Sequence, residues 1–246
     1  MLMIAAALED ELKPAKSLCR ELRKFQGEKS RLWQGIRGRD PVCFLRTGVG
    51  PGRAAESLRE AIRRAKPSRV LVIGYAGALE PGLRLGCLVA VRRALQFSLD
   101  PEQPAWDRVR VDGEFELDGW ESLVQAAESA GIGVRSGDTL TSSHVWGEPV
   151  HKRLLHERFG ALIVDMETAS LARVARAESI PLSCVRAVSD EAADSFLTPF
   201  SYDPSVGLAA RARKLIDAGM LETYRAWKEH SSVAKESLSR FMAAYF

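Results

Sequence analysis

Apolar residues in this chain fall into short unbroken runs and helical stripes, and the two alternate along most of its length. Residues 1–8 are a short apolar run that predicts a strand; Glu9, Asp10 and Glu11 follow and open a helix over residues 12–22. Residues 32–47 hold two strands around a turn at 35–41, and the glycine-rich turn Thr47-Gly48-Val49-Gly50-Pro51-Gly52-Arg53 leads into a helix over 54–65. The clearest central strand is Val70-Leu71-Val72-Ile73, which runs into Gly74-Tyr75-Ala76-Gly77-Ala78-Leu79. From Arg92 to Gly113 the pattern is irregular, and residues 119–130 then read as an amphipathic helix. Residues 205–218 also read as helix, and residues 220–246 add further helical stretches with scattered aromatic positions.

The stretch from Ala161 to Asp194 organises the rest. Ala161-Leu162-Ile163-Val164 has strand length, apolar residues from Ala169 recur at helical spacing until Ile180-Pro181, and Leu182 to Val188 is again a buried-strand run. Strand, helix, strand predicts a parallel pair joined by a right-handed crossover. Met166-Glu167 and Ser189-Asp190 then lie beyond carboxyl ends of strands, the edge where open α/β sheets bind ligands. Two carboxylates there are candidates for proton transfer. The alternative is that Glu167 starts a helix favourably and Asp190 caps the next segment.

Composition narrows the class. A chain of 246 residues suits one large α/β domain, and 46% hydrophobic content supplies a core. A net charge of +3 is too balanced to imply a nucleic-acid partner. Cys19, Cys43, Cys87 and Cys184 are scattered without a C-x-x-C pair, so a reducing cytoplasm fits and no zinc site or disulfide framework is expected. No apolar run reaches the roughly 18 residues of a membrane span, and residues 1–4 do not resemble a signal peptide. Nothing resembles a dinucleotide fingerprint or a metal cluster, so no cofactor and no metal are expected.

Val164-Asp165-Met166-Glu167-Thr168-Ala169 and Val185-Arg186-Ala187-Val188-Ser189-Asp190 together resemble the purine and uridine nucleoside phosphorylase superfamily. The likeness is greatest to the methylthioadenosine/S-adenosylhomocysteine nucleosidases and their futalosine-hydrolase and hopanoid-associated relatives. It implies a three-layer α/β fold with a central mixed, largely parallel sheet flanked by helices. That domain would span residues 1–219, with 220–246 a helical extension packed on it or on a subunit interface. Gly133 to Asp138 resembles the family's strand ending in Ser-Gly-Asp. Two departures stand out: Tyr75 where Ser or Thr is usual, and Cys87 where aspartate is usual.

The resemblance implies cleavage of the N-glycosidic bond of a purine nucleoside by water. Asp190 would protonate the leaving base, and Glu11 would orient the water. Glu167 would bind ribose hydroxyls, with Met166 packed on the sugar. Gly48, Gly74, Tyr75, Ala76, Gly77 and Ser189 would line the pocket. Leu140 and Thr141 take the place where the nucleosidases stack an aromatic ring on the base, and His144 or Trp146 could supply that ring instead. Arg46 and Arg53 are the candidate anion site should phosphate replace water, as in a phosphorylase acting on a lipid-linked nucleoside such as adenosylhopane. A non-catalytic nucleoside-binding protein is the rival from another class. Dimers are common in the family, so a homodimer is expected.

Overall fold

The computed structural model describes residues 1–27, 30–99, 105–107, 109–195 and 221–246. The predicted helix over 205–218 lies outside them. Among the described residues, ten strands form one mixed sheet. In chain order these are β1 (Leu2–Ala6), β2 (Arg20–Gln26), β3 (Arg31–Arg37), β4 (Asp40–Arg46), β5 (Arg69–Ala78), β6 (Leu88–Phe97), β7 (Val111–Glu116), β8 (Val134–Thr141), β9 (Ile163–Asp165) and β10 (Leu182–Asp190). The strands β4, β1, β5 and β10 pair in parallel, as do β6, β8 and β9. Antiparallel pairs join β2 to β3, β3 to β4, β5 to β9, β6 to β7 and β6 to β10.

The alternation of the central strands decides which helices cover which face. Met3, Ala5, Val70 and Val72 pack beneath α2 (Pro51–Ala65) and α5 (Thr168–Ala177). Ile4, Ala6, Leu71 and Ile73 face the other way, toward α1 (Glu9–Lys16), α3 (Trp120–Ser129) and α6 (Leu221–Tyr245). Both faces are therefore buried, as the near-continuous apolar runs of β1 and β5 require. A third cluster at one end joins Leu79, Leu140, Trp146 and Val164 to Leu155 of α4 (Pro149–Phe159). Residues 221–245 form one helix rather than separate stretches, and its Ala234, Leu238, Phe241 and Met242 are fully buried against the sheet-face cluster.

Four elements differ from the sequence expectation. The first helix ends at Lys16, not residue 22, and residues 20–26 form β2 instead. The helix passes through Pro14 and ends two residues later, and pairing with β3 outweighs helical propensity in residues 20–26. The strand β6 continues to Phe97 through a region that reads as irregular, because β7 and β8 pair with it on either side. The strand β8 likewise runs on to Thr141.

The fourth difference governs the site. Strand β9 runs against β5, whereas β10 runs with it, so the strands flanking α5 are antiparallel and form no crossover pair. Stepping forward from Val164, opposite Gly77, carries the chain back down β5 toward Gly74. Stepping forward along β10 from Arg186, opposite Gly74, carries it up to Asp190, opposite Gly77. Glu167 and Arg186 thereby meet at one level, and Asp190 stands at another.

Candidate active site

The lower level is built over Gly74. Methylene-sized space above this glycine is already taken: a Cβ there would collide with the Arg186 guanidinium and lie 2.8 Å from Glu11 Oε1. Glu11 is the third residue of α1 and reaches back to the helix start, where its Oε2 accepts the Leu8 N–H at 2.7 Å. That is half of a capping box. Its Oε1 accepts the Tyr75 N–H at 2.9 Å, so two backbone amides from different elements fix the carboxyl.

Glu167 sits at the N-terminus of α5. Its Oε1 accepts the Gly50 N–H at 3.0 Å, and its Oε2 lies 3.5 Å from an Arg186 nitrogen. Gly48 and Gly50 both adopt positive φ, which lets the turn bend back onto this carboxylate. Two more amides of the turn are occupied: Thr47 N–H donates to Ala6 O and Gly48 N–H to Ala7 O.

Arg186 is 1% exposed and binds Asp165 Oδ2 at 3.2 Å and Thr168 Oγ1 at 2.8 Å. Asp165 in turn accepts the Thr141 hydroxyl at 2.8 Å and the backbone N–H groups of Glu167 and Thr168, each at 3.1 Å. The Thr168 hydroxyl also donates to Asp165. One guanidinium thus serves Asp165, Glu167 and Glu11 together. The imbalance shows in the acids. Burial pushes Glu167 up to about 7 against the opposing pull of Arg186, and burial also raises Glu11.

The upper level is Asp190. A bulge at the end of β10 sets this residue opposite Gly77, where a Cβ would come within 2.7 Å of its Oδ2. Its Oδ1 lies 2.9 Å from Ser189 Oγ, which is 3.3 Å from Ala76 O. Its Oδ2 accepts a 2.6 Å hydrogen bond from Lys152 Nζ of α4. Gly74 and Gly77 are three residues apart, about 10 Å of strand, so the two levels sit at opposite ends of one short floor.

The sequence matches the model of the phosphorylase superfamily over residues 2–226. The chain belongs to the phosphorylase superfamily. Its relatives include the 5′-methylthioadenosine/S-adenosylhomocysteine nucleosidase of Glaesserella parasuis, 26% identical over 200 residues, covering 79% of this chain and 86% of that protein. Among solved structures, the nucleosidase of the same description from Neisseria meningitidis, in complex with methylthio-immucillin-A, superposes with a TM-score of 0.76 at 20% identity. That match covers 99% of this chain and 97% of the other. Futalosine hydrolase of Helicobacter pylori follows at 0.68 and 19%, covering 96% and 97%. These likenesses establish the fold: an α/β domain with a central sheet flanked by helices.

Within this superfamily member, the predicted residues are distributed unevenly. Glu11, Gly48, Gly74, Glu167 and the backbone of Tyr75 converge at the lower level, while Ala76, Gly77, Ser189 and Asp190 gather at the upper one. Met166 is half-buried beside Glu167 in the chain. The Tyr75 ring packs with the α1, α3 and α6 cluster, and its buried hydroxyl finds no partner among the described residues. Leu140 and Thr141 are fully buried; Thr141 serves Asp165 and Leu140 belongs to the third cluster. His144 is exposed and contacts Ser143, whereas Trp146 is buried against Phe97. Arg53 lies across Gly48 with its head exposed, and Arg46 is half-buried at the end of β4.

Sequence reasoning missed two roles. Arg186 stands inside a quoted motif, yet nothing local shows that it faces three acids. Lys152 carried a signal: it shares one helical stripe with Leu155 and Phe159, so a lysine stands on the buried face of α4.

Proposed function

We propose that this protein hydrolyses the N-glycosidic bond of a purine nucleoside or nucleoside conjugate. The observation that carries the reading is the placement of three acids at two levels of one floor, Glu11 and Glu167 over Gly74 and Asp190 beside Gly77. Glu167 has one carboxyl oxygen held weakly and can accept ribose hydroxyls. Glu11 is fixed by two amides and is raised by burial, which makes it a stronger base toward a water at C1′. As the bond from C1′ to the base breaks, its electron pair moves into the purine. The Asp190 proton goes to the base, water oxygen bonds to C1′, and Glu11 takes the water's proton. Met166 and the β5 residues Gly74 to Gly77 line the sugar and base, with Leu140 packed behind.

Water is favoured over phosphate by the glycine turn. Its Gly50 amide points at Glu167, a carboxylate, and Glu11 stands beside it, so a phosphate dianion would meet two acids. Arg46 and Arg53 are the cations that could reverse this preference. The fully buried residues of α6 support reading 220–246 as an extension that completes the domain. A homodimer in the cytoplasm is the expected setting: Cys19, Cys43, Cys87 and Cys184 are free thiols, and among the described residues no helix is long and apolar enough to cross a membrane.

Base release from a panel of purine nucleosides, with phosphate present and absent, tests the reading. Free sugar at a rate independent of phosphate is expected. A rate that rises with phosphate and yields sugar 1-phosphate replaces hydrolysis by phosphorolysis, with Arg46 and Arg53 the first residues to mutate. Tight binding of nucleosides without turnover replaces it by the non-catalytic alternative.

A further inference from the structure

Among the described residues Lys152 is a fully buried cation outside the Arg186 network, with no exposed surface. Burying an ammonium is costly unless every donor finds an acceptor. Here Nζ donates to Asp190 Oδ2 at 2.6 Å, to Glu191 O at 2.9 Å and to Asp194 O at 3.3 Å. An ammonium has three donors and no acceptor, and these contacts offer it three acceptors. The carbonyls belong to the turn leaving β10, where Asp194 N–H donates to Glu191 O and Asp194 Oδ2 accepts the Glu191 N–H. Lys152 therefore ties the end of β10, its exit turn and α4 together at the one carboxyl assigned to the leaving group.

We propose that Lys152 is a positioning residue for protonation of the departing base, an inference that rests on the nucleosidase reading above. Its ammonium holds Oδ2 and leaves the Oδ1 edge to carry the proton. Ser189 lies at that edge: its Oγ donates to Oδ1 at 2.9 Å and is 3.3 Å from Ala76 O, so a neutral hydroxyl steadies the side of the carboxyl that faces away from Lys152. When the proton passes to the base, Asp190 becomes a carboxylate beside an ammonium already in contact with it. No reorganisation is needed to stabilise the charge that develops. Lys152 itself neither gains nor loses a proton, and the reaction balances as written for hydrolysis.

The test compares wild-type enzyme with Lys152→Met, similar in length but uncharged, and Lys152→Ala on the substrate that the panel identifies. A folded Lys152→Met enzyme is expected to lose roughly 10–100-fold in kcat, the scale of a hydrogen bond to a charged group, with KM changed far less. Ethylammonium should restore part of the activity of Lys152→Ala, and tetramethylammonium, which has no N–H, should not. Wild-type kcat in folded Lys152→Met, or loss confined to thermal stability without amine rescue, overturns the proposal. Should neither variant fold, 15N NMR of the wild-type lysine ammonium groups gives the second readout. One slowly exchanging resonance that shifts on binding the released base is expected, and a resonance indifferent to the base overturns the assignment. If wild-type enzyme releases no base, the nucleosidase reading itself has failed, a result distinct from either outcome for Lys152.

Discussion

Gly77 and Asp190 stand so close that a methyl group on the glycine would come within 2.7 Å of the carboxylate oxygen. The contact follows from register: the bulge at the end of β10 skips Ser189 and puts Asp190 opposite Gly77. Gly77→Ala should therefore push the Asp190 carboxyl off the floor of the site while leaving the strand intact. Displacement of a reacting group by about 1 Å can lower turnover on the order of 10²-fold. The expected result is a folded variant with that loss in kcat, checked by steady-state kinetics and circular dichroism; full activity would mean that this approach is incidental.

Asp190→Asn keeps the shape of the side chain and an oxygen for Lys152, but has no proton to give. Turnover of the folded variant should fall by roughly 10²–10⁴-fold. Unchanged turnover in the folded variant removes Asp190 from the chemistry.

Glu167→Gln should weaken ribonucleoside binding by roughly 1.5–3 kcal/mol, the usual scale for hydrogen bonds to a charged group. A 2′-deoxynucleoside should lose less on the same mutation. Calorimetric titration of both ligands decides it, because equal losses leave Glu167 as a helix-start acid only.

Glu167 also predicts a pH dependence of stability. Its folded pKa of about 7 exceeds the ordinary 4.5, so the folded state holds more protons than the unfolded state between these values. Stability should fall as pH rises through that window and level off above it, and burial of Glu11 acts in the same direction. Glu167→Gln removes the ionisation. The melting temperature of the variant should gain on wild type between pH 5 and 7, by an amount equivalent to about 1–3 kcal/mol. A constant difference across the range contradicts the assignment.

Phe241 of α6 is fully buried and stacks on Tyr245 with ring centroids 5.4 Å apart. Phe241→Ala should destabilise the domain by about 3–5 kcal/mol in chemical denaturation. A loss below 1 kcal/mol would show that α6 is an appendage and not part of the core.

Much of this protein is legible locally. The near-continuous apolar runs of β1 and β5 require a sheet covered on both faces, and both faces are covered. Glu11, Glu167 and Asp190 each announce themselves as acids at the end of an apolar run, a signal that needs only neighbours in sequence. Tertiary structure decided how they meet. The direction of β9 depends on pairing with β5, some 85 residues earlier in the chain, and no composition within 161–194 distinguishes an antiparallel return from a parallel crossover. The end of the first helix was set in the same way, by the partner that residues 20–26 find in β3. Leu140 is enclosed because β8 continues between β6 and β9. Lys152 is the clearest case. Its place on the buried stripe of α4 could be read from spacing, but the carboxyl and the two carbonyls that make its burial tolerable come from Asp190, Glu191 and Asp194, about 40 residues further along the chain. A buried ammonium is tolerated only where acceptors arrive to meet its donors, and that meeting is a property of the fold.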